Sequence, residues 1–202
     1  MLKIEALNQY YGGSHILRNV NLAADDGKLT VLLGRNGVGK STLLRCLMGV
    51  VAAKSGSVSW RGTALGALPP YARVAAGLAY VPQGRDIFPR LTVEENLLVG
   101  AASRKAPSKV PDRIYDLFPV LKDMRARRGG DLSGGQQQQL AIGRTLRQLV
   151  DESRMTVLLV EQYYDFAQSI ADSYWVMSRG EIVAGGDAHD METNGVRELI
   201  AV

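Results

Sequence analysis

Residues 2–7 alternate apolar and polar side chains with the period of a half-buried strand. A glycine-rich stretch over residues 8–14 reads as a turn. Residues 15–22 alternate again and predict a return strand, closed by the Asp25-Asp26-Gly27 turn. Residues 29–33 form an apolar, β-prone run, and residues 41–50 read as a helix. Further strands are predicted at residues 57–60, 78–81 and 156–160. Residues 173–177 and 181–184 form a hairpin about Arg179-Gly180. Helices are predicted from Pro70 to Gly77, from Val93 to Ala101, from Asp112 to Phe118, up to Leu146, from Asp165 to Ala171 and from Val196 to Ala201. Thr92 with Glu95, and Ser133 with Gln136, have the spacing of capping boxes at two of these helix starts. Residues 102–111, rich in alanine, lysine, serine and proline, read as a surface loop. Strands interspersed with helices place the chain in the α/β class. Helices crowd residues 85–128 and, with the next one, mark a helical subdomain at about 85–146 inserted into the sheet.

At 202 residues, 46% hydrophobic and 22% charged, the chain has the size and composition of one globular domain. No apolar run approaches the roughly 18 residues of a membrane span, and Met1-Leu2-Lys3-Ile4-Glu5 lacks a signal-peptide layout, so cytosolic residence is expected. The single cysteine, Cys46, has no internal partner for a disulfide and reads as a packed, reduced thiol. Net charge is +4, and the densest basic patch is Arg125-Ala126-Arg127-Arg128, too small for a nucleic-acid footprint.

The chemistry concentrates at Gly34, Arg35, Asn36, Gly37, Val38, Gly39, Lys40, Ser41 and Thr42, which fit G-x-x-x-x-G-K-[ST]. An apolar strand precedes them and a helix follows. Glycines let successive backbone N–H groups point into one concavity. The helix adds its own free N–H groups and positive dipole end. Lys40 is expected to reach the β- and γ-phosphates and the Ser41 hydroxyl to ligate Mg²⁺. Tyr11, immediately before Gly12, is the candidate to stack on a purine ring, with Tyr10 as second choice. Gln83 follows the predicted strand at 78–81, at the strand end where ligands collect in open α/β sheets. Gly134 and Gly135 open a helix whose bare N–H groups can face an anion.

With these motifs in view, the chain resembles the ATP-binding subunits of ABC transporters along its whole length. Residues 34–42 are similar to their Walker A loop, Gln83 to their Q-loop glutamine, and Leu132-Ser133-Gly134-Gly135-Gln136 to their LSGGQ signature. The stretches NQYYGGSHILRNV, VPQGRDIFPRLTVEENL, GGQQQQLAI and LLVEQYYDFA look like the branched-chain amino acid importer branch, and most like its urea-importer type. The resemblance implies a P-loop NTPase core with a mixed sheet, N-terminal antiparallel strands and the inserted helical subdomain. It implies ATP and Mg²⁺ as cofactors, with Ser41 and Gln83 toward the metal. It implies a second ATP-binding subunit whose Ser133, Gly134, Gly135 and Gln136 close the site. It also implies transmembrane permease subunits that tether the protein to the inner face of the cell membrane. Catalysis in the family is mainly positioning and charge stabilisation about the γ-phosphate. Urea or a similar small amide is the expected cargo, with branched-chain amino acids as the alternative.

Two positions depart from the family pattern. Gln162 stands at the switch position where many members carry histidine; it can still hydrogen-bond a phosphate or a water. The strand ending in the Walker B Asp-Glu pair is missing. Asp151-Glu152 follows only Leu149-Val150, too short a run for a strand, and does not have its setting. A strand, loop and helix of about 20–30 residues are expected to be absent near Leu146–Arg147. A break in the chain there would mark an omission. An unbroken peptide would instead favour a module that binds ATP and is deficient in hydrolysis.

Overall fold

The computed structural model describes residues 1–100, 109–149 and 155–201. The chain divides into two compact units, one of Met1–Pro70 with Arg154–Val202 and one of Tyr71–Ser153.

The first unit holds two four-stranded sheets. One is antiparallel, ordered β2-β1-β4-β5, from β1 (Leu2–Tyr11), β2 (Ser14–Ala24), β4 (Ser55–Trp60) and β5 (Thr63–Ala64). Leu2 and Ile4 are buried as the alternation predicts, but the spacing slips at Ala6, which is exposed with φ of 49°, so that Leu7 is buried in its place. Gly56 lies across from that bulge. A Cβ there would stand 2.4 Å from the Ala6 carbonyl oxygen, so the bulge needs glycine opposite it. The predicted turn over residues 8–14 shrinks to Gly12-Gly13. Gln9, Tyr10 and Tyr11 pair with Leu17, His15 and Ser14, so the ladder runs almost to the end of the hairpin.

The second sheet is ordered β6-β3-β7-β8, from β3 (Leu29–Leu33), β6 (Val157–Glu161), β7 (Ser173–Ser178) and β8 (Glu181–Asp187). β3 lies between parallel neighbours, and β8 runs antiparallel to β7, which makes the sheet mixed. Val31, Leu32 and Leu33 are fully buried. Val31 and Leu33 pack with Tyr174, Val176, Tyr164, Ala167 and Val196, the last three from α7 (Tyr164–Ile170) and α8 (Val196–Ala201). Val31, Leu33, Val176 and Val196 each contribute about 1.5–3 kcal/mol on burial. The Trp175 indole Nε1 donates to the Ala23 carbonyl at 2.8 Å and ties the two sheets together. Among the described residues β6 has β3 as its only partner, and its five residues are all half-buried.

The second unit is helical: α3 (Val93–Val99), α4 (Asp112–Leu117), α5 (Pro119–Asp123) and α6 (Gly134–Leu149) follow α2 (Pro70–Ala75). Val93, Leu97, Ile114, Leu121 and Leu140 form its core. Both predicted capping boxes form. Glu95 N donates to Thr92 Oγ1 and Thr92 N to Glu95 Oε2; Ser133 N donates to Gln136 Oε1 at 2.9 Å and Gln136 N to Ser133 Oγ at 3.4 Å.

Two expectations change. Residues 78–81 form no strand. The Leu78 amide bonds to the Arg73 carbonyl, and the Tyr80 carbonyl accepts from Thr145 Oγ1 of α6, so helices take groups that a sheet neighbour would have taken. The helix predicted over residues 112–118 is followed by a second, α5, because Pro119 cannot continue the first and is suited to open the next. The helix α6 includes Leu146 and Arg147 and is described to Leu149. Ala101, where the helix from Val93 was expected to end, residues 102–108 of the predicted loop, and Asp151-Glu152 lie outside the described residues.

Candidate functional site

β3 delivers the chain to Gly34 at the C-terminal end of the parallel strands, and α1 (Lys40–Leu47) leaves from Gly39. The loop between them needs its glycines. Gly34, Gly37 and Gly39 have φ of 150°, 84° and 115°, conformations costly to any residue with a Cβ. At Gly34 the space is closed as well, since a Cβ would meet the Met177 carbonyl oxygen of β7 at 2.4 Å.

Within this loop Lys40 is buried, and its Nζ donates to the carbonyl oxygens of Gly34 and, at 2.7 Å, Arg35. Burial pulls the ammonium below the usual lysine range; the Glu161 carboxylate offsets part of that pull. Among the described residues, none of the amides of Gly37, Val38, Gly39, Lys40, Ser41 and Thr42 donates a hydrogen bond within the protein, and neither does the Ser41 hydroxyl, which is exposed. Unpaired amides at a helix start, with an ammonium folded among them, are a donor set suited to phosphate. The exposed Ser41 hydroxyl beside them is a hard oxygen suited to Mg²⁺.

β6 brings a second group to this end of the sheet. Glu161 pairs in register with Leu33, one residue before the loop. Glu161 Oε1 accepts from the amides of Gln162, at 2.8 Å, and Tyr163, at 3.2 Å, which turns the chain into α7. Gln162 and Tyr163 then line a 370 Å³ cavity with Gly34, Arg35, Asn36 and Ile200. The structure therefore brings Gln162 to the glycine loop. Glu161 escapes a reading of the sequence, because its place beside the loop arises only from strand pairing. The Val-Glu-Gln run at the end of a predicted strand is the one available hint.

Tyr11 ends β1 with its ring 45% exposed, whereas the Tyr10 ring already stacks on His15, with centroids 4.1 Å apart and planes 9° off parallel. Of the two tyrosines, Tyr11 has the open face.

In the helical unit, Gln83 is exposed in the irregular segment after residues 78–81. Leu132 is buried and anchors Ser133, Gly134, Gly135 and Gln136 at the start of α6. Gln137 Nε2 donates to the Leu132 carbonyl at 3.2 Å, and Gln137 Oε1 accepts from Arg85 at 3.1 Å. A Cβ at Gly135 would meet nothing within 4 Å, so that glycine fronts open space. Asn96, which drew no notice in the sequence, is fully buried in this unit. Its side chain receives the Phe88 amide and donates to the carbonyls of Phe88, Leu91 and Thr92.

The model of the ABC transporter family matches residues 17–158, more than half of the chain. The chain belongs to the ABC transporter ATP-binding family. These proteins are transport ATPases that bind ATP. The high-affinity branched-chain amino acid transport ATP-binding protein BraG of Pseudomonas aeruginosa is 37% identical, with 96% of each chain covered. The probable branched-chain amino acid transport ATP-binding protein LivF of Archaeoglobus fulgidus is 34% identical over 95% of this chain and 94% of its own. The alignment to BraG runs over 223 positions while 96% of these 202 residues is about 194, so close to 30 positions have no counterpart in this chain. A solved ATP-binding subunit of an ABC transporter superposes with a TM-score of 0.83 at 21% identity, covering 100% of this chain and 95% of its own. A bacterial ABC transporter cassette solved as a dimer superposes with a TM-score of 0.81 at 20% identity, covering 93% and 99%. These likenesses establish the α/β fold with its antiparallel N-terminal sheet and mixed core sheet.

Proposed function

We propose that this protein is the ATP-binding subunit of an ABC importer for branched-chain amino acids. The observation that carries the reading is the free amide array of residues 37–42 around the Lys40 ammonium, in a chain whose two most similar relatives reported above are branched-chain amino acid transport proteins. Those relatives favour this cargo over urea. Lys40 and the loop amides, from Gly34 and Arg35 through Thr42, hold the phosphates, Ser41 faces Mg²⁺, Tyr11 stacks on the base, and Gln162 hydrogen-bonds the γ-phosphate or a water. Ser133, Gly134, Gly135 and Gln136 meet the nucleotide of a second ATP-binding subunit, which the dimeric structural relative supports. No helix among the described residues is long and apolar enough to cross a membrane. The importer reading gives this subunit permease partners that carry it at the membrane. Deleting this subunit from its host should abolish high-affinity uptake of labelled leucine and leave urea uptake intact; loss of urea uptake alone overturns the cargo.

A second reading concerns turnover. The roughly 30 positions without counterpart support a chain that lacks the Walker B strand and its water-polarising glutamate. Such a subunit binds ATP and turns it over slowly. Steady-state ATPase assays of the assembled transporter test this: a rate at the usual scale of about 1 s⁻¹ or more per site sinks it.

A further inference from the structure

Lys40 stands at the glycine loop, and the carboxylate charge that acts on its ammonium is that of Glu161. Glu161 stands level with Leu33 on the neighbouring parallel strand, at the strand ends from which the glycine loop springs. Its carboxylate is divided in use. Oε1 takes two backbone amides, from Gln162 and Tyr163, and so is held in place. Oε2 has no hydrogen bond among the described residues. The adjoining cavity is lined by the loop residues Gly34, Arg35 and Asn36. A carboxylate anchored by one oxygen, at a strand end next to the one from which a phosphate loop springs, is the ligand type that Mg²⁺ takes with substrate phosphates: one or two carboxylates and several waters. Strand order puts Glu161 there, since β6 lies directly against β3.

We propose that Glu161 is the carboxylate through which this chain holds Mg²⁺ on the bound nucleotide, together with the Ser41 hydroxyl. The inference rests on the nucleotide-binding reading above and deepens it. It assigns the metal-side charge to β6 rather than to the absent Walker B strand. It assigns no water-polarising base, so it agrees with slow turnover. Nearness to Lys40 fits the same role: Glu161 offsets the buried ammonium when the site is empty, and a metal on the phosphates gives its charge a second partner.

The experiment measures binding of a non-hydrolysable fluorescent ATP analogue to the full chain, with Mg²⁺ and with EDTA. In the wild type, Mg²⁺ should tighten binding. In Glu161→Gln, whose amide oxygen can still accept from Gln162 and Tyr163, that gain should fall about 10-fold, equal to about 1.4 kcal/mol, with affinity in EDTA unchanged or improved. Mn²⁺ supplies a readout independent of nucleotide affinity: with the analogue saturating, free Mn²⁺ counted by EPR should report an affinity about 10-fold weaker in the variant. Glu161→Asp keeps the charge on a shorter arm and should retain more of the gain than Gln. Should Glu161→Gln fail to fold, the Asp and Ala variants carry the same comparison. Equal Mg²⁺ gains in the wild type and the uncharged variants overturn the role of Glu161 and leave nucleotide binding standing. A wild-type chain that binds no analogue under either condition overturns both.

Discussion

Gly34 lies so close to Met177 that a Cβ on the glycine would stand 2.4 Å from the methionine carbonyl oxygen. The contact locks the start of the phosphate loop against β7, and the φ of 150° at Gly34 forbids relief by a backbone change. Gly34→Ala should therefore lower stability by about 1–3 kcal/mol, the usual cost of overpacking, and displace the loop. Denaturant unfolding together with ATP-analogue titration measures both effects; a variant as stable as the wild type and binding equally well refutes the contact.

Lys40 should govern phosphate affinity. Lys40→Ala should weaken ATP binding about 10- to 100-fold, on the basis of roughly 1.5–3 kcal/mol for a hydrogen bond to a charged group. A pH signature goes with it. Burial holds the empty-site ammonium below the ordinary 10.5, whereas bound phosphate favours the charged form. Binding at alkaline pH between the empty-site and occupied-site values should take up a proton. Calorimetry in two buffers of unlike ionisation heat detects that uptake, and Lys40→Arg should abolish it.

Gly135 faces open space, so substitution there should spare the monomer. Gly135→Asp places a negative charge and added bulk where a partner's nucleotide is expected. Monomer unfolding and ATP binding should stay at wild-type levels while the ATP-dependent dimer disappears from size exclusion. A Gly135→Asp chain that still dimerises with ATP removes the signature from the interface.

Asn96 holds the loop from Phe88 to Thr92 with one accepted and three donated hydrogen bonds from a fully buried side chain. Asn96→Ala strands buried backbone groups and should cost about 2–3 kcal/mol. The loss should fall on the helical unit: hydrogen exchange should quicken across residues 88–97 and stay unchanged in β3. Uniform acceleration over the chain would contradict this.

Much was decided locally. The glycine positions of the phosphate loop, the capping boxes at Thr92 and Ser133 and the apolar run of β3 are each specified within a few residues, where propensity and backbone sterics act without help from distant chain. For that reason the P-loop, the signature helix start and the α/β class could be read from the residues alone. Strand neighbours cannot be read that way. Residues 78–81 have a strand's composition and form none, because a strand exists only when another takes up its N–H and C=O groups, and these residues turn to Arg73 and Thr145 instead. The same non-local rule sets Glu161 level with Leu33 and closes Gly34 against Met177. Local chemistry determined which residues form the glycine loop; tertiary pairing decided that Glu161 ends the strand beside it, since that depends on the order of strands in the sheet rather than on any spacing along the chain.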